Sequence, residues 1–232
     1  MEANDAGRHT SQRIETMKEL KNEYDVVILA AGDFPTDVAA MRILRNAKHL
    51  IACDGAVEEL LKMNIEPEVI VGDGDSVSAA TKAKYLSIFH TIEEQEDNDL
   101  TKATKYALRC FDLKEKPTFC YLGATGKRED HTLGNIALLI HYYKHLNIAP
   151  TMVTNYGWFT VSQGKTTFAA FPKQQVSIFQ IGCKRMESKG LKWNVYPFSE
   201  FWQGTLNEAV GNSFTIEADS AYLIYQTHKP KE

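Results

Sequence analysis

Several features that would assign a protein class are scarce or missing in this 232-residue chain. It has four cysteines and none forms a Cys-x-x-Cys pair, so their spacing indicates neither a zinc site nor a disulfide framework. The formal net charge is −4 and basic residues are scattered without a dense Lys/Arg tract, which argues against a nucleic-acid or anionic-membrane binder. No apolar run approaches membrane-spanning length. We therefore expect a cytoplasmic globular protein with reduced thiols and with no nucleic-acid or membrane partner.

The chain does contain a regular alternation of short β-branched runs and longer amphipathic runs in its first two thirds. This pattern is typical of a parallel sheet covered by helices. It predicts strands at 25–31, 49–53, 68–72, 88–92, 118–122 and 151–154, and helices at 37–46, 55–64, 78–86, 99–111 and 131–146. We therefore expect an α/β domain with a mainly parallel sheet.

The pattern changes after Asn155, where strand-like runs follow one another with turn residues between them. Strands are predicted at 159–161, 167–171, 175–181, 191–195, 213–217 and 221–225, with one short helix at 198–203. Consecutive short strands favour a compact all-β, sandwich-like unit. The predicted organisation is a flexible extension at 1–22, an α/β domain at 23–156 and a β domain at 157–232.

The most informative motif is the apolar strand 69–72, which runs directly into Asp73 and Asp75. Residues two apart at the end of a strand share a face, so both carboxylates can reach one hard cation, as Mg²⁺ binding requires. Without a cation or a proton the two charges would repel each other. Asp54 ends an earlier apolar run, and Asp99 opens a predicted helix. A solvated turn with Ser76 as a helix cap is the alternative.

Cationic and glycine-containing segments complete the pattern. Lys102 follows Asp99 at a spacing of three, which fits either a surface ion pair or a phosphate-binding lysine. The segment 123–135 has a glycine-containing turn after a strand, then Arg128, then an Asp-His pair at the start of a helix. A helix amino terminus favours anions and arginine binds phosphate bidentately, although a polar loop with a capping aspartate would look similar.

Taken in order, these motifs resemble those of the thiamine pyrophosphokinases. The resemblance rests on Asp54-Gly55-Ala56, Gly72-Asp73-Gly74-Asp75-Ser76, the segments 95–102 and 123–135, and Gly190-Leu191-Lys192-Trp193-Asn194. It runs from about Val26 almost to the end of the chain. The family resemblance implies an α/β amino-terminal domain, a β-sandwich-like carboxy-terminal domain, and a homodimer with thiamine bound near the interface. It also implies Mg²⁺-dependent transfer of a pyrophosphoryl group from ATP to the thiamine hydroxyl, with release of AMP.

The resemblance also implies roles for individual residues. Catalytic roles fall on Asp73, Asp75, Asp99, Lys102 and Arg128, with Mg²⁺ held by Asp73, Asp75 and either Asp99 or Asp54. ATP contacts fall on Asp54, Gly123, Thr125, Gly126, Arg128, Asp130, His131 and Asn135, and thiamine contacts fall on Ser188, Trp193 and Asn207. Either Asp75 or Asp99 would accept the hydroxyl proton. The flat face of Trp193 suits a cationic thiazolium ring.

The chain departs from the family pattern at a few positions. The pattern usually has a glycine at the position of Ala56, a bulky residue at Gly74 and an aspartate at Glu96. It usually has a threonine at the position of Asn98 and a serine at Leu206. Two other functions remain open from the sequence. Asp73-Gly74-Asp75-Ser76-Val77 also fits the Asp-x-Asp motif of haloacid-dehalogenase-type phosphatases, where Asp73 would be a covalent nucleophile. A non-catalytic sensor of thiamine or nucleotide is the third interpretation.

Overall fold

A computed structural model describes residues 17–231 of the chain. Residues 1–16 of the predicted flexible extension lie outside the described residues. The described part of that extension contacts the fold: Lys18 lies opposite Phe168 in a parallel bridge, its amide donates to the Thr167 carbonyl, and its carbonyl accepts from the Ala169 amide. Within the described residues, no helix combines the length and the apolarity needed to span a bilayer.

The amino-terminal part alternates strands and helices as the hydrophobic pattern predicts. Its strands are β1 (Val26–Leu29), β2 (Leu50–Cys53), β3 (Val69–Gly72), β4 (Phe89–Thr91), β5 (Thr118–Leu122) and β6 (Ala149–Val153). Its helices are α1 (Val38–Arg45), α2 (Ala56–Lys62), α3 (Ala79–Lys84), α4 (Asp99–Cys110) and α5 (Glu129–His145), with a short 3₁₀ turn at Leu86–Ile88. All six predicted strands and all five predicted helices of this part are present.

These six strands form a parallel sheet in the order β6-β5-β1-β2-β3-β4. Alternate residues of β1 face opposite sides: Val26 and Ile28 pack with residues of α4 and α5, whereas Val27 and Leu29 pack with residues of α1 and α2. The sheet is therefore the middle of three layers. Consecutive strands are added on one side of β1 up to β4, and then on its other side from β5. The strand order thus reverses between β1 and β5, which is where open parallel sheets bind ligands.

The carboxy-terminal part contains the antiparallel strands β7 (Gly157–Ala169), β8 (Gln174–Gln180), β9 (Met186–Lys189), β10 (Asn207–Glu208) and β11 (Ser213–Pro230), and a 3₁₀ turn at Phe201–Gly204. They pack around a separate apolar core that includes Phe168, Phe214 and Tyr222. β7 pairs antiparallel with β6, so the hydrogen-bonded ladder continues from the first part into the second. The fold is an α/β domain followed by a β domain, as predicted.

Three details of the predicted β domain are wrong. The strands expected at 159–161 and 167–171 are one strand, β7, and those expected at 213–217 and 221–225 are one strand, β11. No strand occupies 191–195, where only Leu191 makes an isolated bridge; the unpredicted strands are β9, which lies earlier, and the two-residue β10, which lies later. The helix expected at 198–203 is reduced to the 3₁₀ turn at Phe201–Gly204.

Candidate active site

A cavity of about 410 Å³ lies beyond the carboxyl ends of β1 and β5, at the point where the strand order reverses. Loops from four strands and the first turns of two helices form its walls. The lining residues are Ala30, Ala31, Gly32, Cys53, Asp73, Gln95, Asp97, Asn98, Asp99, Leu100, Lys102, Gly123, Ala124, Gly126, Lys127, Arg128, His131 and Asn135. Three acidic and three basic side chains therefore meet at one rim, as expected for a site that binds both a cation and an anionic substrate.

The two loops at the strand reversal pack backbone against backbone. The Gly32 amide donates to the Gly123 carbonyl at 2.7 Å, and the Asp33 amide donates to the Thr125 carbonyl at 2.8 Å. A Cβ on Gly32 would lie 2.3 and 2.4 Å from the oxygens of Thr125 and Gly123. Only glycine fits there, since neither backbone carbonyl can move without breaking the pairing. The sequence-based prediction missed this loop after β1.

The predicted metal carboxylates occupy different environments. Asp54 is buried behind the cavity; its Oδ2 accepts from the Ser76 amide at 3.1 Å, whereas its Oδ1 is buried without a hydrogen-bond partner. Asp73 is exposed and lines the cavity, and its Oδ1 accepts from the Asp75 amide at 3.0 Å. Asp75 is exposed and is not among the lining residues.

Asp99 is the half-buried acid of the group. Burial raises the pKa of the Asp99 carboxyl above its ordinary value; Lys102 opposes this shift, and the negative charges of Asp54 and Asp73 add to it. The Nζ of Lys102, which is only 4 % exposed, lies 3.9 Å from Asp99 Oδ1. Asp99 is therefore subject to two neighbouring negative charges at this rim, with one buried ammonium to offset them, which is the electrostatic situation of a functional site.

The acidic residues fit a magnesium ion in their chemistry. Among residues 17–231, no group of three or more His, Cys, Asp or Glu side chains is arranged to enclose a metal. Mg²⁺ is ordinarily held by one or two carboxylates together with substrate phosphates and water, so a closed protein cage is not required. A cation would relieve both the unpartnered Oδ1 of Asp54 and the repulsion that Asp54 and Asp73 exert on Asp99. The residues present therefore fit the ion.

Two further cations stand at the start of α5. The guanidinium of Arg128 pairs bidentately with Asp130, with Nε 3.1 Å from Oδ1 and Nη2 2.6 Å from Oδ2. Hydrogen bonding to Arg128 lowers the pKa of Asp130 to about 2. Lys127, which the sequence-based prediction missed, donates from Nζ to the Ala31 carbonyl at 2.8 Å and lines the cavity. Its place between Gly126 and Arg128, in a glycine-containing turn, was the available signal.

The structure therefore brings most of the predicted ATP and catalytic residues to one cavity. The lining includes Asp73, Asp99, Lys102, Gly123, Gly126, Arg128, His131 and Asn135. Four predicted residues are not on the lining: Asp54 and Asp75, described above, Thr125, whose carbonyl holds the β1 loop, and Asp130, which holds Arg128.

The predicted thiamine residues lie in the β domain. Trp193, about half exposed, and Asn207 line a separate cavity of about 470 Å³. The buried side chain of Asn207 brackets Trp193, since its Oδ1 accepts from the Trp193 amide at 3.2 Å and its Nδ2 donates to the Trp193 carbonyl at 2.8 Å. Ser188 does not line this cavity; its Oγ accepts from the Val195 amide at 3.1 Å.

Two family models match the chain, and both describe parts of one enzyme. The model of the thiamin pyrophosphokinase catalytic domain matches residues 40–149, and the model of the thiamin pyrophosphokinase substrate-binding domain matches residues 157–225. Together they span about three quarters of the chain. The chain belongs to the thiamine pyrophosphokinase family. The catalytic-domain match contains Asp54, Asp73, Asp99 and the loop from Gly123 to Gly126, and the substrate-binding match contains Trp193 and Asn207.

Curated relatives agree with membership of the thiamine pyrophosphokinase family. Thiamin pyrophosphokinase 1 of Caenorhabditis elegans is 29% identical over 139 residues, which cover 57% of this chain and 57% of that protein. Thiamine pyrophosphokinase 2 of Oryza sativa subsp. japonica is 33% identical over 119 residues, covering 42% and 45%. The chain thus spans about half the length of the curated relatives it matches.

Solved structures with the thiamine pyrophosphokinase name share the fold. The enzyme from Bacillus subtilis superposes with a TM-score of 0.70 at 20% identity and covers 88% of this chain and 99% of its own. The yeast thiamin pyrophosphokinase superposes with a TM-score of 0.70 at 18% identity, covering 88% and 86%. At these identities the likeness shows the fold alone, and it extends over both domains.

Proposed function

We propose that this protein is a Mg²⁺-dependent thiamine pyrophosphokinase, which transfers the pyrophosphoryl group of ATP to the thiamine hydroxyl and yields thiamine diphosphate and AMP. The observation that carries the proposal is the meeting of acids and cations from separate strand ends in one cavity at the strand reversal. Phosphoryl-type transfer requires alignment of the reacting groups and neutralisation of charge, with little covalent work by the protein. Family membership points to the same reaction.

The phosphates of ATP lie along the loop from Gly123 to Gly126 and the first turn of α5. Arg128 and Lys127 are the exposed cations of this wall, and Lys102 is the buried one. The planar guanidinium of Arg128, already held in position by Asp130, matches two phosphate oxygens. His131 and Asn135 lie one helical turn apart on α5, beside Arg128, and form the wall next to the nucleotide.

Asp73 and Asp99 are the residues that would hold Mg²⁺, with Asp54 and Asp75 next to them. The ion would neutralise charge on the transferred phosphates. The base is one of two carboxylates: Asp75, which is exposed, or Asp99, which is half-buried. Either can accept the proton of the thiamine hydroxyl when Mg²⁺ leaves one of its oxygens free. Lys102 Nζ, 3.9 Å from Asp99 Oδ1, offsets the charge of the Asp99 carboxylate.

Thiamine binds against Trp193, whose exposed face suits a cationic ring. The Trp193 cavity shares no lining residue with the nucleotide cavity. A homodimer resolves this separation, since Trp193 of one subunit can then complete the site of the other.

The four cysteines are all free, which supports a cytoplasmic location.

Incubation with thiamine, Mg²⁺ and ATP labelled at the β-phosphorus tests the proposal. The expected products are labelled thiamine diphosphate and unlabelled AMP in equal amounts. No AMP should form when thiamine is omitted. Phosphate release without thiamine, together with a phosphoryl group trapped on Asp73, would establish the phosphatase alternative. Binding of ATP and thiamine without AMP release would establish the sensor.

A further inference from the structure

A chain of side-chain amides crosses one wall of the nucleotide cavity. Asn98 is the N-cap of α4, and its Oδ1 accepts from the Thr101 amide at 3.0 Å and from Thr101 Oγ1 at 2.9 Å. Its Nδ2 donates to Asn135 Oδ1 at 2.9 Å, and Asn135 Nδ2 donates to the Ala124 carbonyl at 2.8 Å. Asn98 therefore connects the start of α4 to the loop that follows β5.

The direction of this amide chain is fixed at both ends by the backbone. The Thr101 N–H can only donate, so the oxygen of Asn98 must face it, and the amide nitrogen must point the other way. The Ala124 carbonyl can only accept, so Asn135 must present its nitrogen there and its oxygen to Asn98. Neither amide can rotate by 180° without setting two like groups against each other. The bridge thus has one hydrogen-bonding arrangement.

The bridge joins the two groups that the reaction must align. Asp99 is the next residue after Asn98, and Ala124 lies inside the Gly123–Gly126 loop. Deeper in the protein, Thr101 Oγ1 and the Tyr142 hydroxyl lie 2.6 Å apart and connect the same two helices in the buried layer. Tyr142 is fully buried, so the deep contact is fixed by packing, whereas the Asn98–Asn135 contact lies at the cavity surface.

We propose that Asn98 is a positioning residue that sets the place of the Asp99 carboxylate relative to the phosphate-binding loop, and that it acts through Asn135. This inference rests on the proposed function. Threonine at this position can cap α4 through its hydroxyl. It carries no second donor long enough to reach Asn135, so Asn98→Thr removes the bridge and keeps the cap.

The test is a double-mutant cycle of Asn98→Thr, Asn135→Ala and the two together. Two quantities are measured: kcat/KM for ATP, and the dissociation constant of a non-reacting α,β-methylene analogue of ATP with Mg²⁺. We expect Asn98→Thr to lower kcat/KM by about 10-fold, the scale of a lost supporting contact. We expect no further loss when it is added to Asn135→Ala. Asn22→Thr, at an exposed asparagine that lines neither cavity, is the matched control and should match wild type.

Urea unfolding without ligand, on these variants and on Asn98→Ala, separates the effect of the Asn98–Asn135 bridge from the effect of the helix cap. Asn98→Thr should destabilise the protein less than Asn98→Ala, which loses both. An Asn98→Thr enzyme equal to Asn22→Thr in both ATP measurements would overturn the inference, as would losses that multiply fully in the double variant. A wild-type protein that makes no thiamine diphosphate would refute the proposed function, while the analogue-binding cycle would still decide the role of Asn98.

Discussion

At the scale of single residues, Asp73 offers the cleanest separation of charge from packing, because its side chain is exposed and lines the cavity. We expect Asp73→Asn to lower kcat by roughly 100-fold or more, since the variant loses a carboxylate that would hold Mg²⁺ beside the reacting phosphates. Its unfolding free energy should stay within about 0.5 kcal/mol of wild type, as for most surface substitutions. Steady-state kinetics and urea unfolding measure the two effects.

Asp112→Asn is the matched control, because Asp112 is exposed and outside the nucleotide cavity. It should leave both kinetics and stability unchanged. A normal turnover rate in Asp73→Asn would contradict the metal assignment, and an equal loss in both variants would indicate a general effect of net charge.

The half-buried Asp99 carries a prediction about pH. Its pKa in the fold is raised, chiefly by burial, so the folded state holds this proton more tightly than the unfolded state does. Ionisation of Asp99 therefore lowers the free energy of unfolding. The loss grows as the pH rises from the unfolded pKa of about 4 through the raised folded pKa. Asn is a neutral isostere without this cost. We expect the stability of Asp99→Asn relative to wild type to increase between pH 4 and pH 7.

Urea unfolding at the two pH values, in the absence of Mg²⁺, measures this difference. Added Mg²⁺ should shrink it, because a ligand of the ionised carboxylate stabilises only the wild type. A difference that stays constant with pH would show that Asp99 titrates normally in the fold.

The sequence predicts the acids and cations of the site better than it predicts the contacts between them. Asp73, Asp99 and Arg128 stand out because charged residues directly follow apolar strands or open helices. The Asn98–Asn135 bridge joins residues far apart in sequence, and neither asparagine signals the other. The bridge forms only because α4 and α5 lie side by side, and no local sequence pattern predicts that placement.

At the scale of elements, hydrophobic periodicity predicts every strand and every α-helix of the α/β domain, but it misplaces several strands of the β domain. Gly164 resembles a turn that ends a strand, yet it pairs with Ala218 inside the long antiparallel ladder of β7 and β11, with φ of +70°. The alternation of Leu191, Trp193 and Val195 resembles a strand, yet only Leu191 bridges to another strand and Trp193 is exposed. A period of two reports which side chains are apolar; it does not report whether a partner strand is available.

The close contact between the loops after β1 and β5 carries the prediction at this scale. In Gly32→Ala the new methyl group would overlap two backbone oxygens, so the loops must separate. We expect a destabilisation of about 1–3 kcal/mol, the usual cost of overpacking. We also expect a raised KM for ATP, since these loops form the cavity wall. Urea unfolding and steady-state kinetics check both.

Gly134→Ala is the matched control for this change. Gly134 lies in α5, and nothing lies within 4 Å of the place that an added methyl group would take, so alanine there should stabilise the helix by about 0.5–1 kcal/mol. The two glycine substitutions should therefore have opposite signs. Two losses, or an unchanged KM for ATP in Gly32→Ala, would contradict the packing argument.

At the scale of the whole molecule, one hydrogen-bonded ladder joins the two domains through the antiparallel pair β6 and β7. Asn155, in the turn between these strands, accepts from the amides of Thr36 and Asp37 and donates to the Phe34 carbonyl. The turn is thus tied to the loop that enters α1. The two cavities therefore lie on one connected framework, and the proposed homodimer would bring the Trp193 cavity of one subunit to the nucleotide cavity of the other.

The exposed apolar side chains of the β domain are the surface expected to bind the proposed second subunit. Between residues 193 and 210 they are Trp193, Tyr196, Phe201, Trp202, Leu206 and Val210. Clusters of exposed large apolar residues mark interfaces. We expect wild type to be a dimer by light scattering, and Trp202→Asp to be a monomer with a raised KM for thiamine. A charge buried in an interface without a partner strongly disfavours association.

Val38→Asp is the matched control, because Val38 is 72% exposed and Trp202 is 70% exposed, and Val38 begins α1 in the other domain. An acid at the start of a helix is favourable, so this variant should remain dimeric and active. If Trp202→Asp is as dimeric as Val38→Asp, the partner does not bind this face. If it is monomeric but has an unchanged KM for thiamine, each subunit holds a complete thiamine site and the shared-site proposal fails.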